Sequence, residues 1–585
     1  MGQNAVARLA DDSQRYAMLM RKYQIETLHR ELPDAGYVVS VIRDFPFASM
    51  GLMDFAGQPK WANSQWQWHQ DRMLVVKTDR DRRSFWADEP FGVQVFAVSL
   101  IDPSEDSQQN ANTSDVWVRW QWVRGSESIT GQKRLDLRSL APQNPAQPGG
   151  PLQVLEFNEP LPKALQGEGI AKDSGAVAWT LRVEIVQQTQ ARSPQVLCSN
   201  QWDFWQIQRT DQQGENRIGR RELVVHDSCT DTARANIHAM ANSAGRRVLD
   251  HRQVKVMPQG SICVAQRLDE SLIDWMEQGG RLMLMPDGQK GSLPISDQWF
   301  LRGGPIVSSH GSWDRLRDMI VELQHFDLAG PVVPDVHWLA EMTPMVMLWD
   351  NHDIARVKTH GLVFASKIGQ GVMLVNAMNN GQGPSPAGSM IFAECLDAIE
   401  SKDIDSLKPM KAQSVQGVRD KLRERIYSLG DRMWDFRPDP TDQGMKLGWQ
   451  QATLDRSEQG QWKQIAIGKH WEAQGYPGLD GWAWYRTQIQ LPNDWPTGKL
   501  YLQVDGADDY FEAYLDGRLV GSAGDPKRRL TAFEQRVSFL VADQAKAGET
   551  LNIAMRVEDW QGAGGLFRPI RLSTTELSGG ISILK

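Results

Sequence analysis

The spacing of hydrophobic and polar positions changes several times along this chain. From about Ala5 to Leu32, the residues Tyr16, Leu19, Met20, Tyr23, Ile25, Leu28 and Leu32 make an apolar stripe near the helical period. This predicts a helix that Pro33-Asp34-Ala35-Gly36 stops. The next run, Tyr37-Val38-Val39-Ser40-Val41-Ile42, is almost continuously apolar and predicts a strand buried on both faces, as in parallel sheets. Between about 69 and 215 the period is two: Met73 to Val76, Phe91 to Val98, Val116 to Trp122 and Val177 to Val186 read as strands, with a Pro- and Gly-rich loop from Pro142 to Pro151. From about 221 to 400 strands and helices alternate. Glu222–His226, Ser261–Ala265 and Arg281–Met285 are strand runs, Thr232–Ala244 and Glu270–Glu277 are helical, and Leu362–Ala365 with Gly371–Val375 reads as a hairpin before a helix over Ile391–Ile399. Such alternation implies a doubly wound, largely parallel sheet. A charged helix is expected over Val415–Leu429, with Arg419, Lys421, Arg423 and Arg425 interleaved with Asp420 and Glu424.

The last stretch returns to period two. Thr487 to Leu491, Leu500 to Val504, Tyr510 to Leu515, Arg536 to Val541, Leu551 to Val557 and Ile570 to Leu572 are short, evenly spaced strands. Asp516-Gly517 between two of these runs predicts a tight hairpin, because glycine takes the positive φ that such a turn requires. The whole reads as an all-β sandwich or jelly roll.

At 585 residues the chain has room for roughly four domains. A net charge of −8 without a basic tract argues against a nucleic-acid partner. No apolar run reaches the roughly 18 residues of a membrane span, and the N-terminus lacks the basic-then-apolar layout of a signal peptide. Cys198, Cys229, Cys263 and Cys395 stand singly and suggest neither zinc nor a disulfide framework. The 23 tryptophans fill sandwich cores in the ordinary reading, but an indole face also stacks on the C–H face of a pyranose.

The order of landmarks Trp462…Ile465, Trp471-Glu472, Gly481…Trp484-Tyr485-Arg486, Asp508-Asp509, Tyr514-Leu515-Asp516-Gly517, Gly548-Glu549…Asn552 and Gly564-Gly565-Leu566…Pro569-Ile570 resembles the sugar-binding jelly roll of glycoside hydrolase family 2. That family includes β-galactosidases and β-glucuronidases. Candidate sugar contacts are Trp484, Tyr485, Arg486, Asp509, Trp560 and Arg568. Strand alternation lets at most two of Trp484, Tyr485 and Arg486 share a surface.

A second resemblance lies at the other end. Tyr23-Gln24-Ile25-Glu26, Asp44-Phe45, Gly51-Leu52-Met53-Asp54 and Pro59-Lys60 are similar to the final (β/α)₈-barrel unit of the same family. It implies that the two catalytic glutamates, on earlier barrel strands, would precede Met1. Asp44 is then a barrel-rim candidate for a sugar hydroxyl, or else an ion-pair partner of Arg43 or another rim residue. Asn158-Glu159 matches the family's acid/base dipeptide but sits in a β-rich stretch before Pro160, so Glu159 is a weak candidate. Asn200-Gln201-Trp202-Asp203-Phe204-Trp205 resembles the close of accessory sandwiches that follow these barrels. The α/β stretch resembles class I glutamine amidotransferases, but Pro286-Asp287-Gly288 stands where their nucleophilic cysteine would be, so no amidotransferase chemistry is expected. Nor do His310, His325, His337, His352 and His360 match a compact metal motif.

The expected architecture is therefore multidomain, α/β plus all-β. A barrel-end remnant covers 1–68, a β-sandwich 69–218, a Rossmann-like doubly wound domain 219–402, a linker helix 403–430 and a galactose-binding-like jelly roll 431–585. The resemblances imply the C-terminal portion of a retaining hydrolase of β-linked glycans. The alternative is a non-catalytic carbohydrate-binding or scaffolding chain. A glycan is the expected partner, with either a second copy of the chain or a subunit carrying the rest of the barrel. No cofactor and no metal is expected, and the parent enzyme would be periplasmic or secreted.

Overall fold

A computed structural model describes residues 3–577, apart from 99–114, 136–150, 161–175, 210–219, 296–301, most of 308–340, 452–460 and shorter gaps. His310, His325, His337 and His352 lie outside the described residues, as does most of the 142–151 loop. The chain is mixed α/β plus all-β and divides into two compact units, Met1–Met410 and Lys411–Lys585. Among the described residues no helix is long and apolar enough to cross a membrane.

In the first unit, helix α1 (Gln3–Glu31) packs beside a sandwich. One sheet of the sandwich holds β1 (Met73–Lys77), β3 (Val93–Val98) and β6 (Leu152–Phe157). The other holds β2 (Ser84–Trp86), β4 (Asp115–Arg124), β5 (Glu127–Arg134), β7 (Ala176–Gln188) and β8 (Gln195–Ile207), in the order β2-β8-β7-β4-β5. Leu74, Val93, Val95, Trp122, Leu181 and Phe204 fill the space between the sheets. Glu26 of α1 is buried, and its carboxylate accepts hydrogen bonds from Asn200 (2.6 Å) and the Trp202 indole (2.9 Å).

Among the described residues of 37–42 the expected strand does not form. Val38 is 91% exposed and Ile42 is also exposed, and backbone pairing in the described part of this segment begins only at a bridge from Arg43 to Met53. An apolar run becomes a two-faced strand only when neighbours supply ladders on both sides.

The same unit continues with β9 (Leu223–Val225), α2 (Asp231–Ser243), β10 (Val248–Asp250), β11 (Ile262–Ala265), α3 (Glu270–Glu277) and β12 (Arg281–Leu284). It ends with β13 (Arg302–Val307), β14 (Thr343–Asp350), β15 (Lys358–Ile368), β16 (Gly371–Asn376) and α4 (Pro386–Glu400). These strands form an eight-stranded sheet, β10-β9-β11-β12-β16-β15-β14-β13, parallel as far as β16 and antiparallel beyond it. Helices start on side-chain caps: Thr230 accepts from Ala233 N, Asp269 from Leu272 N and Ser385 from Gly388 N.

The second unit opens with α5 (Ala412–Arg423). The helix stops short of the expected Leu429, because β17 (Ile426–Ser428) pairs with a strand more than a hundred residues later. The remaining strands are β18 (Met433–Pro438), β19 (Lys463–Ala466), β20 (Gly481–Gln490), β21 (Gly498–Val504), β22 (Tyr510–Leu515), β23 (Arg518–Ala523), β24 (Val537–Ala545), β25 (Thr550–Asp559) and β26 (Ile570–Ser573). Two antiparallel sheets result, β17-β26-β21-β24 and β19-β18-β20-β25-β22-β23. Phe436, Tyr485, Ile489 and Met555 of one meet Leu500, Leu502, Ile570 and Leu572 of the other. The β22–β23 turn is Asp516-Gly517 with φ of 47° and 82°, both left-handed.

Candidate functional site

The polar residues of greatest chemical interest lie at one end of the second unit's sandwich. Strands β22 and β25 run antiparallel with Tyr510 opposite Glu558. The residues just outside that pair, Asp508-Asp509 before β22 and Asp559-Trp560 at the end of β25, are thereby brought together. One carboxylate oxygen from each of Asp508, Asp509 and Asp559 lies within 4.8 Å of the others. The three residues are 8%, 7% and 1% exposed.

Backbone amides hold part of this group in place. Asp508 accepts from the Asp509 N–H (3.0 Å), Asp509 from the Trp560 N–H (2.6 Å) and Asp559 Oδ1 from the Gln561 N–H (2.9 Å). Asp509 itself adopts φ +48°, a conformation Asp tolerates better than most residues. Glu472, on a 3₁₀ turn, accepts from Gly564 N at 3.0 Å and so ties the 560–566 loop down beside the cluster. A Cβ at Gly564 would lie 2.4 Å from Asp559 Oδ2 and 2.4 Å from the Trp471 ring, so only glycine allows the loop this close.

Burial raises the Asp508 carboxyl to about 7, with the charges of Asp559 and Asp509 adding to it. Asp559 is raised to about 6, again chiefly by burial, with contributions from Asp509, Asp480 and Glu472. Asp509 is also raised by burial, against the opposing pull of the Trp560 amide and of Arg529. Arg529 reaches over the Trp560 ring, 4.8 Å from its centroid.

The sequence-predicted sugar contacts separate in space. Asp509 and Trp560 belong to this sandwich end, and Trp560 is half-buried. Arg568 lies beyond the same loop, ion-paired to Glu534 at 3.7 Å and set over the Phe533 and Phe567 rings. Trp484 and Tyr485 are fully buried and present no surface to a ligand. The reason is topological: β20 lies between β18 and β25, Tyr485 points into the main core, and Trp484 points to the opposite face. There Trp449 and Trp462 cover it, and Asp439 accepts from its indole N–H at 3.0 Å. Arg486 shares Trp484's face and is buried, 3.7 Å from the Trp462 ring centroid. The sequence reading does not single out Asp508 and Asp559 as candidates. Their signal was an acidic pair opening one strand and Glu558-Asp559-Trp560 closing another.

In the first unit, Asp44 pairs with Lys60 at 2.9 Å rather than with Arg43, and accepts from the Gly51 N–H at 2.8 Å. Glu159 is exposed in the bend after β6. At the carboxyl ends of the parallel strands, His226 Nδ1 lies 3.0 Å from the Ser228 hydroxyl, and Asp287, after β12, pairs with Arg267 at 2.9 Å. Cys229 is buried there, and burial pushes its thiol up to about 11, away from nucleophilic character.

No protein-family model matches this chain, and no curated protein matches it. Among solved structures, it is similar over 26% of its length to the β-glucuronidase of Ruminococcus gnavus, at 18% identity, a TM-score of 0.22 and 29% coverage of that enzyme. The complexes of the same enzyme with D-glucuronic acid (18% identity) and with D-glucaro 1,5-lactone (17%) give the same coverage and TM-score. The chain thus spans less than a third of the enzyme it matches, and a TM-score of this size carries no argument about fold or function.

Proposed function

We propose that this chain is a carbohydrate-binding C-terminal portion of a family 2-like glycoside hydrolase, and that it takes glycan at the end of the second sandwich. One observation carries the binding reading. The half-buried Trp560 has its backbone N–H on Asp509, beside the Asp508 and Asp559 carboxylates. An indole offers an apolar face to a pyranose ring, and the hydrogen bond from the Trp560 N–H to Asp509 fixes where that residue stands.

The hydrolase part of the reading rests on the sequence resemblances at the two ends of the chain. Retaining hydrolysis of a β-linked glycan needs two carboxylates about 5–5.5 Å apart, one as nucleophile and one as acid/base. Neither the ion-paired Asp44 nor the exposed Glu159 is assigned either role. In this reading the catalytic pair belongs to barrel sequence outside these residues.

The test is glycan-array binding by the full chain beside hydrolysis of nitrophenyl β-glycosides. Binding without hydrolysis is expected. Trp560→Ala should weaken that binding about tenfold while leaving the melting temperature nearly unchanged. Binding unaffected by Trp560→Ala would remove the sandwich end from consideration, and hydrolysis by the isolated chain would overturn the placing of the active site.

A further inference from the structure

The first unit holds a pair of histidines that the glycan reading does not use. Strands β9 and β10 run parallel, with Val225 beside Asp250. The next residue on each strand is a histidine, so the register sets His226 next to His251. Their rings stack, with centroids 4.9 Å apart and planes inclined by 24°. His226 is buried, and His251 opens the 3₁₀ turn His251–Gln253 that follows β10.

One hydrogen bond fixes which nitrogen of His226 carries its proton. The Ser228 backbone N–H donates to His226 Nδ1 at 3.2 Å, so Nδ1 is the acceptor and the neutral ring keeps its proton on Nε2. Nε2 faces Asp269, the cap of α3, at 3.6 Å. A second proton must go on Nδ1, where the Ser228 amide already points. Acid therefore removes the bond that closes the 226–228 turn, and it puts charge on a buried ring stacked against another imidazole. Burial holds His226 below the ordinary histidine value; Asp269 and Asp227 oppose this, and His251 and Arg234 add to it.

The surrounding elements supply charges of both signs. Asp227 lies 3.2 Å from His251 Nδ1 and 3.9 Å from Arg252, which also lies 3.7 Å from Asp231 at the start of α2. Arg234 of α2 donates to the His226 carbonyl at 3.1 Å and pairs with Asp250 at 2.9 Å. Strand β10 is three residues long and ends the sheet, with β9 as its one neighbour. A short edge strand is the part of a sheet that opens at least cost, and its opening leaves the edge of β9 bare.

We propose that the stacked His226–His251 pair is an acid-sensitive latch, holding β10 on β9 at neutral pH and releasing it when the pair is protonated. The latch lies in the first unit and involves no sugar, so it stands or falls apart from the glycan reading. A histidine held below its ordinary value contributes stability above about 6.5 and loses it as pH falls through the folded value. One such group shifts the opening equilibrium by at most about tenfold per pH unit.

The test is hydrogen–deuterium exchange by mass spectrometry on the full chain at about pH 7.5 and about pH 5, corrected for the intrinsic exchange rate. The Val248–Asp250 segment should exchange about threefold or more faster in acid, while Ile262–Ala265 of β11, inside the sheet, stays unchanged. H226N supplies a carbonyl that can accept from the Ser228 N–H but cannot titrate, and it should abolish the acid effect. If H226N does not fold by far-UV circular dichroism, H251F decides: it keeps a ring in the stack without the facing charge, and the acid effect should shrink about twofold or more. The latch is overturned if the wild type shows no acid effect or if β11 accelerates equally. It is also overturned if the deciding variant keeps the acid effect in full.

Discussion

Asp505 and Asp508 are three residues apart at the same end of the same sandwich, and the fold treats them in opposite ways. Arg571 grips Asp505 with two hydrogen bonds of 2.7 and 2.9 Å, and Arg536 adds a third at 3.1 Å. Burial pushes the Asp505 carboxyl up, but the arginines outweigh it and hold it below the usual range. Asp508 is also buried, yet its neighbours are Asp559, Asp509 and Glu472, and its carboxyl is raised to about 7. Burial alone therefore does not set the behaviour of a carboxylate. What decides is whether the fold delivers a cation or another anion to its side.

The largest effect expected from this contrast is on the paired side. Arg571→Ala strands Asp505 at four-fifths burial and should cost about 2–3 kcal/mol in urea unfolding of the second unit, somewhat below a fully buried pair. A cost near zero would mean that Arg536 or water replaces the lost partner.

The next effect is on the unpaired side and depends on pH. A carboxyl raised in the folded state keeps its proton to higher pH than in the unfolded chain. Its contribution is therefore present below the unfolded value of about 3.9 and lost as pH rises through about 6–7. Stability should fall across that window, with Arg529, Glu472 and Asp480 as the other charges facing the cluster. Asp508→Asn should flatten the fall and raise stability by about 1–2 kcal/mol at pH 8, measured by the urea midpoint. Asp505, depressed in the folded state, contributes above the usual carboxylate value and loses that contribution only as pH falls below it. A single profile should thus show the two aspartates acting at opposite ends of the pH range. If Asp508→Asn changes nothing, the cluster is not under electrostatic strain.

Arg536→Ala is the smallest expected change. Its side chain is about half exposed, so solvent screens the pair and the loss should be about 0.5 kcal/mol or less by the same assay. A loss comparable to that of Arg571→Ala would show that the two arginines work as one unit.

Elements governed by nearby residues could be read from the sequence alone. The 3.6-residue stripe before Pro33 marks α1, Glu270–Glu277 stands as read before Gly279-Gly280, and Asp516-Gly517 makes the left-handed turn that its composition demands. Each depends on contacts or dihedrals within a few residues. The tertiary structure decided the rest. Val38 and Ile42 of the apolar run at 37–42 are exposed because no ladder pairs with the described residues of that run. The charged helix ends at Arg423 because β26 pairs with the residues that follow. Trp484 and Tyr485 look like a sugar platform in one dimension, yet neighbouring strands and the Trp449–Trp462 cover bury both faces of β20. Asp508 and Asp559 are fifty-one residues apart along the chain, and only the β22–β25 register makes them one cluster. Local sequence determines periodicity and turns; burial and the sign of a neighbour's charge are set by strand pairing across distance, where the physical cost of leaving a carboxylate unpaired is decided.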